Sequence, residues 1–113
     1  MIYTSCFKLS GHHPNAIAIS NGTRFYSHVR KYRPLVPPWQ LVKESRDGRL
    51  SAAEFEAAYQ TQLQALDAEK VVAEVGENAI LLCWEAPGEY CHRRMVAAWL
   101  ETELGIQVPE LVI

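Results

Sequence analysis

The stretch "AILLCWEAPGEYCHRRMVAAWLETELG", residues 79–105, decides the fold. Residues 79–84 are apolar without alternation, so both faces of this segment should be buried, as in a parallel strand covered by helices. From about Cys91 to Leu104 the apolar residues Val96, Trp99, Leu100 and Leu104 recur at helical spacing, and Gly105 suits the left-handed stop. A buried strand, the loop "EAPGEY" and a helix are half of a βαβ unit. The expected architecture is therefore α/β, with a small, mostly parallel sheet in three layers and helices on both faces.

The flanking segments agree with this. "MIYTSCF" (1–7) reads as a first strand, parallel to and beside 79–84, and "AIAIS" (16–20) reads as a second that ends at "NG". "YRPLVPP" has three prolines within 33–38 and favours an extended surface path. Trp39 opens a short helix through Lys43 with Leu41 and Val42 turned inward, and "RDG" ends it. Ser51 and Glu54 form a capping box ahead of Phe55, Tyr59, Leu63 and Leu66. Asp67 caps a further helix bearing Val71, Val72 and Val75, and Gly76 is placed in its left-handed stop. The tail "IQVPELVI" is a last short strand that Pro109 restricts to an edge.

With 113 residues, 49% hydrophobic and 21% charged, the chain fits one globular domain over 1–113. It has no run long enough to span a bilayer, and its first residues do not resemble a signal peptide, so a cytoplasmic protein is expected. Cys6, Cys83 and Cys91 are odd in number; a disulfide framework is not expected, and they read as buried thiols or site residues. Charge is unevenly distributed. Residues 1–43 contain six basic residues and no acid, whereas residues 44–113 hold the other five basic and all thirteen acidic residues, so the net charge of −2 combines +6 and −8. The basic segment either faces an anion or neutralises the acidic helices.

Ligands of open parallel sheets sit beyond the carboxyl ends of the strands, and Cys83 and Glu85 fall at that end of 79–84. Cys91, His92 and Arg93 would open the next helix, where free N–H groups favour an anion. These residues form the expected site. Cys91 is a nucleophile with its pKa lowered by His92 and the helix N-terminus, His92 or Glu85 transfers protons, and Cys83 lies beside them. Arg93, with Arg24 and Arg33 from the basic segment, is expected to bind the anion. The bland alternative makes Cys83 a core residue and Cys91 a cap, with Arg93 and Arg94 paired to Glu101 or Glu89.

The strand leading to Cys83, the acid at Glu85 and the triplet Cys91, His92, Arg93 resemble the signature of the domain of unknown function 488 family. Its members are small α/β proteins found largely in bacteria, and the resemblance implies a fold and the position of a site without naming a reaction. The similarity is specific over 79–105 and looser over "IYTS". The family usually places an Asp and an Arg close together in its second strand. "AIAISNGTRF" has no acid there and only Arg24 as the basic counterpart.

Cys6, Cys83, Cys91 and His92, with His12 or His13, offer thiolate and imidazole ligands for zinc, but no C-x-x-C knuckle supports such a site, so neither a metal nor a cofactor is expected. Glycine-rich nucleotide loops and a serine nucleophile elbow are absent from the sequence. Two functional classes remain. One is an enzyme acting on a phosphorylated or otherwise anionic substrate, related to nucleotides or nucleic acids, at residues 83–94. The other is a non-catalytic module that binds nucleic acid or protein through the basic and aromatic segment 24–39, where Phe25, Tyr26, Tyr32 and Trp39 interleave with Arg24, Arg30, Lys31 and Arg33.

Overall fold

The computed structural model describes residues 1–85 and 91–111. Four parallel strands, β1 (Tyr3–Cys6), β2 (Ala16–Ala18), β3 (Arg30–Lys31) and β4 (Ile80–Cys83), form one sheet in the order β1-β4-β2-β3. β1 and β4 are parallel neighbours as expected, with Cys6 opposite Cys83. The tail adds a single parallel bridge, Thr4 to Glu110, outside β1. This is the edge position to which Pro109 confines it, and residues 112–113 lie outside the described part.

β4 is central, and its unbroken apolar run follows from its position. Leu81 points to one face with Ile17 and Ile19, into a cluster containing Tyr59, Leu63, Val71, Val96 and Leu100. Ile80 and Leu82 point to the other, where they meet Ala16, Ala18, Phe7 and Val29. The two faces are covered unequally. The first carries α3 (Ala52–Gln64), α4 (Ala68–Val75) and α5 (His92–Leu104), with Leu41 and Val42 of a further helix packed against them. Among the described residues the second has the one-turn α1 (Phe7–Ser10), the aromatic loop around Tyr26 and Leu111 of the tail. Helices lie on both sides, as the sequence implied, but the second layer is thin.

Local signals hold at most element ends. The Ser51 hydroxyl accepts from the Glu54 N–H while the Glu54 carboxylate accepts from the Ser51 N–H, completing the capping box. Asp67 accepts from the N–H groups of Glu69 and Lys70 at the start of α4. Gly105 ends α5 in the left-handed conformation. Gly76 also takes a positive φ, 94°, but its ψ of 167° puts it outside the left-handed helical well, in a region open to glycine.

The proline segment also departs from a purely extended path. Residues Arg33–Leu35 form a 3-10 turn, for which Pro34 supplies the fixed φ near the turn's start. Leu35 is fully buried there, and its carbonyl accepts from the Tyr59 hydroxyl. The following helix, α2 (Trp39–Arg46), runs three residues past the expected end at Lys43, and Leu41 and Val42 pack against the core.

Leu81→Ala, which opens a cavity in the middle of the sheet, should cost about 3 kcal/mol. Ser51→Ala, which removes only an exposed cap, should cost about 1 kcal/mol. Urea midpoints would check the ratio, and a Leu81→Ala cost no larger than the cap's would contradict the central placement of β4.

Candidate functional site

Parallel pairing brings every strand's carboxyl end to one edge, and a cavity of about 550 Å³ opens beyond the ends of β2 and β4. Cys83, Trp84, Glu85, Cys91 and His92 form one wall, and Ser20, Asn21 and Gly22 follow β2. Pro37, Trp39, Val42, Ser45 and Arg46 close the side opposite, with Leu50, Ala52 and Phe55 nearby. The chain leading to α2 thus reaches over the sheet's carboxyl edge. It is held there by Asn21, whose side-chain N–H donates to the Pro37 carbonyl at 2.6 Å and whose own carbonyl accepts from Lys31 Nζ.

The expected residues separate at this edge. Cys83, Glu85, Cys91 and His92 share the cavity wall. Arg93 does not line it. Its side chain is fully buried, Nε and Nη2 donate to the Glu110 carboxylate at 2.9 and 2.7 Å, and Nη1 donates to Cys83 Sγ at 3.1 Å. With those donors committed, the guanidinium is directed at the tail and not at an anion in the cleft. Arg24 and Arg33 are exposed and also lie away from the cavity lining, with Arg24 stacked on Phe25 at 5.1 Å. Among the described residues the cation lining the cleft is Arg46, which lies 5.7 Å from the Trp39 ring centroid.

Neutralisation of the acidic helices does not account for the basic segment either. Among the described residues the ion pairs are Arg93 with Glu110 and the N-terminus with Glu77. Arg30 donates to a carbonyl, that of Glu74. Arg94 donates to the Thr4 hydroxyl and the Val108 carbonyl, while Glu101 accepts from the Val108 N–H. The alternative partner Glu89 falls in 86–90, outside the described residues.

The cysteines need a correction. Cys83 and Cys91 are joined as a disulfide across a Cα separation of 7.3 Å, and Cys6 is the buried free thiol. Counting cysteines could not anticipate this, because their pairing depends on β4 and α5 converging after the intervening loop. Cys91 also stands one position outside the expected first turn: it is the N-cap of α5, in extended conformation and without a side-chain cap bond. Nucleophilic chemistry at Cys91 therefore requires the reduced protein.

His92 is the best-defined polar group at the cavity. Its Nε2 lies 2.6 Å from the Ile19 carbonyl oxygen, an acceptor, so Nε2 carries the proton and Nδ1 keeps its lone pair. That Nδ1 is 3.9 Å from Cys91 Sγ. The ring packs edge-on against Tyr59 at 5.3 Å. Burial pushes the imidazole pKa below its ordinary value and the nearby Arg93 charge adds to the fall, against opposition from the Ile19 hydrogen bond and the Glu85 charge. The ring is accordingly neutral at physiological pH, a base with one free nitrogen.

Sequence reasoning missed Glu110, Arg46, Trp39 as a cleft wall, and Asn21. For Asn21 a signal existed in the "NG" turn directly after β2, since residues following parallel strands gather at the ligand edge. Glu110 had no local signal, because its partner lies 17 residues away on another element.

A comparison of sequences places the chain in a family. A family model described as DUF488-N3a, the active DUF488-N3 subclade, matches residues 8–104. No curated protein and no solved structure matches the chain.

Burial raises the Glu110 pKa, but hydrogen bonds from Arg93 and Thr4 and the charges of Arg93 and Arg94 outweigh it and hold the carboxyl below its ordinary range. A carboxylate with a depressed folded pKa stabilises fully above its unfolded value of about 4.3, and that contribution is lost as pH falls through the lower folded value. Glu110→Gln should cost about 3 kcal/mol at pH 7, because it leaves the Arg93 cation buried and uncompensated. The difference from wild type should narrow at pH 3, and a pH-independent difference in denaturant midpoints would contradict the pairing.

Proposed function

Because the chain belongs to the DUF488 family, and the matching subclade is described as active, we propose that it is an enzyme acting on a small planar substrate with an anionic group, of the nucleotide class. The supporting observation is the cavity itself, which combines apolar walls, two tryptophans, one cation and a polar cluster at a strand edge. Trp39 is half-exposed, its indole suits stacking of a heterocycle, and the Arg46 guanidinium over it suits a phosphate or carboxylate. Trp84 is anchored from the opposite side, its indole N–H donating to the Gly22 carbonyl at 2.8 Å and its ring packed on Phe7 at 4.5 Å.

Chemistry falls to the wall formed by the two chain segments. Glu85 is exposed at the mouth, where it can give or take a proton, and the His92 Nδ1 lone pair faces the neighbouring sulfur. Once the disulfide is reduced, the Cys91 thiol can pass its proton to that nitrogen and attack as a thiolate. No acid from β2 takes part, since residues 16–25 contain none.

A second reading draws on one separate observation. Phe25 is 81% exposed at φ 67°, with Arg24 stacked over its ring. A bulky residue held in the left-handed region and turned to solvent fits a macromolecular contact, which would make segment 24–39 a non-catalytic binding surface.

Adenosine or uridine monophosphate at millimolar concentration should quench tryptophan fluorescence and raise the melting temperature of the wild type. Trp39→Ala should weaken binding about tenfold, from the ~1–3 kcal/mol of one base stack. Arg46→Ala should remove most of its salt dependence, whereas Glu85→Gln should keep binding and lower turnover by about two orders of magnitude. Indifference to mononucleotides together with oligonucleotide binding that is lost in Phe25→Ala would overturn the enzyme reading in favour of the second.

A further inference from the structure

Cys83 Sγ, Cys91 Sγ and a ring nitrogen of His92 lie within 4.8 Å of one another on the cavity wall. The sequence alone had offered these residue types for zinc without a spacing that supported it. Tertiary structure supplies what the spacing lacked: three donors from a strand end and a helix start, converging on one point and opening to the cleft.

Two of the three donors are also supported from behind. The His92 Nε2–H is committed to the Ile19 carbonyl, which orients the ring and leaves Nδ1 as the coordinating nitrogen, a pattern typical of ligating histidines. Cys83 Sγ accepts from Arg93 Nη1, a charge-assisted contact that favours the thiolate. Arg93 is in turn fixed and balanced by Glu110. The Cα atoms of Cys83 and Cys91 stand 7.3 Å apart, wider than the usual disulfide range of about 4.4–6.8 Å, and leave room for both sulfurs to sit on one ion.

We propose that in the reduced protein Cys83, Cys91 and His92 bind one zinc-class divalent cation through two thiolates and Nδ1, leaving a fourth position open to the cleft. Two thiolates neutralise the ion, so the set adds no net charge beside the Arg93–Glu110 pair. Soft sulfur with imidazole selects zinc-like ions over magnesium or calcium, and three protein ligands with an open position is the arrangement of catalytic zinc. In the metal-bound form Cys91 acts as a ligand, the nucleophilic role given to it above belonging to the reduced, metal-free form, and Glu85 stands at the mouth to exchange a proton with whatever occupies the open position. This rests on the reading of the cleft as a substrate site but not on the nucleotide class.

Formation of the site is balanced by a dithiol such as dithiothreitol. The reagent closes to its own cyclic disulfide and delivers two electrons and two protons to the Cys83 and Cys91 sulfurs; the metal then displaces both thiol protons to solvent. Oxidised protein should bind nothing here.

The test is a titration of the reduced, metal-free full chain with Zn²⁺ and with Co²⁺. One equivalent should be retained through gel filtration, and the cobalt form should show the absorption of tetrahedral thiolate coordination. Zinc should protect both cysteines from iodoacetamide. Cys83→Ser and His92→Gln should each lower affinity at least tenfold, and Gln keeps an N–H for the Ile19 carbonyl, so a properly folded variant is available. His28→Gln should change nothing, although His28 stacks on His12 at 5.3 Å and offers an alternative imidazole pair. Failure to retain an equivalent, or retention that survives His92→Gln and alkylation, would overturn the metal site. Tryptophan quenching by mononucleotides is read separately, so loss of one result leaves the other standing.

Discussion

The Arg93–Glu110 pair is the constraint around which the site is arranged. A guanidinium with no solvent exposure costs several kcal/mol to desolvate, and the structure offsets this only by meeting its donors from two directions, with the Glu110 carboxylate on one side and Cys83 Sγ on the other. Four pieces of chain are tied at once: the start of α5, the end of β4, the tail, and β1 through the Thr4 hydroxyl that also donates to Glu110. Each depends on the others, because withdrawal of any one leaves a buried charge or hydroxyl without its partner.

That same pairing redistributes function. An arginine in the first turn of a helix at a sheet's carboxyl edge reads as an anion ligand, yet here it is paired with Glu110, and it is Arg46 at the end of α2 that lines the cleft. The cost of an unpaired buried cation explains the choice: Arg93 lies on the inward side of α5, alongside Val96, Ala97 and Leu100, where it must find a carboxylate from the protein itself. Arg46 is exposed, keeps its hydration and can exchange it for a ligand at little expense.

Strand direction accounts for the remaining convergence. Because all four strands run parallel, residues far apart in sequence, Asn21 after β2 and Glu85 after β4, emerge side by side. The start of α5 lies beside them and supplies Cys91 and His92. The cleft is therefore a consequence of topology, and its chemical character depends on which residues happen to follow each strand. Residues 16–25 contain no acid, so the ionisable side chains at this edge, Glu85 and His92, come from the β4 side.

Much was settled by the amino-acid order alone. The two-sided apolar run of 79–84, the capping box at Ser51, the cap at Asp67 and the stop at Gly105 are local or short-range facts, and local backbone preference decides them wherever the chain goes. Parallel pairing of β1 with β4 and the placement of Cys83, Glu85, Cys91 and His92 at one edge followed from the same pattern. Tertiary structure alone decided the partners. The union of Cys83 with Cys91, the capture of Arg93 by Glu110 and the arrival of Trp39 and Arg46 at the cleft depend on distances across elements, which no sequence spacing encodes. Burial then sorts charged residues of identical type into one that must be paired and others that remain free to meet a ligand.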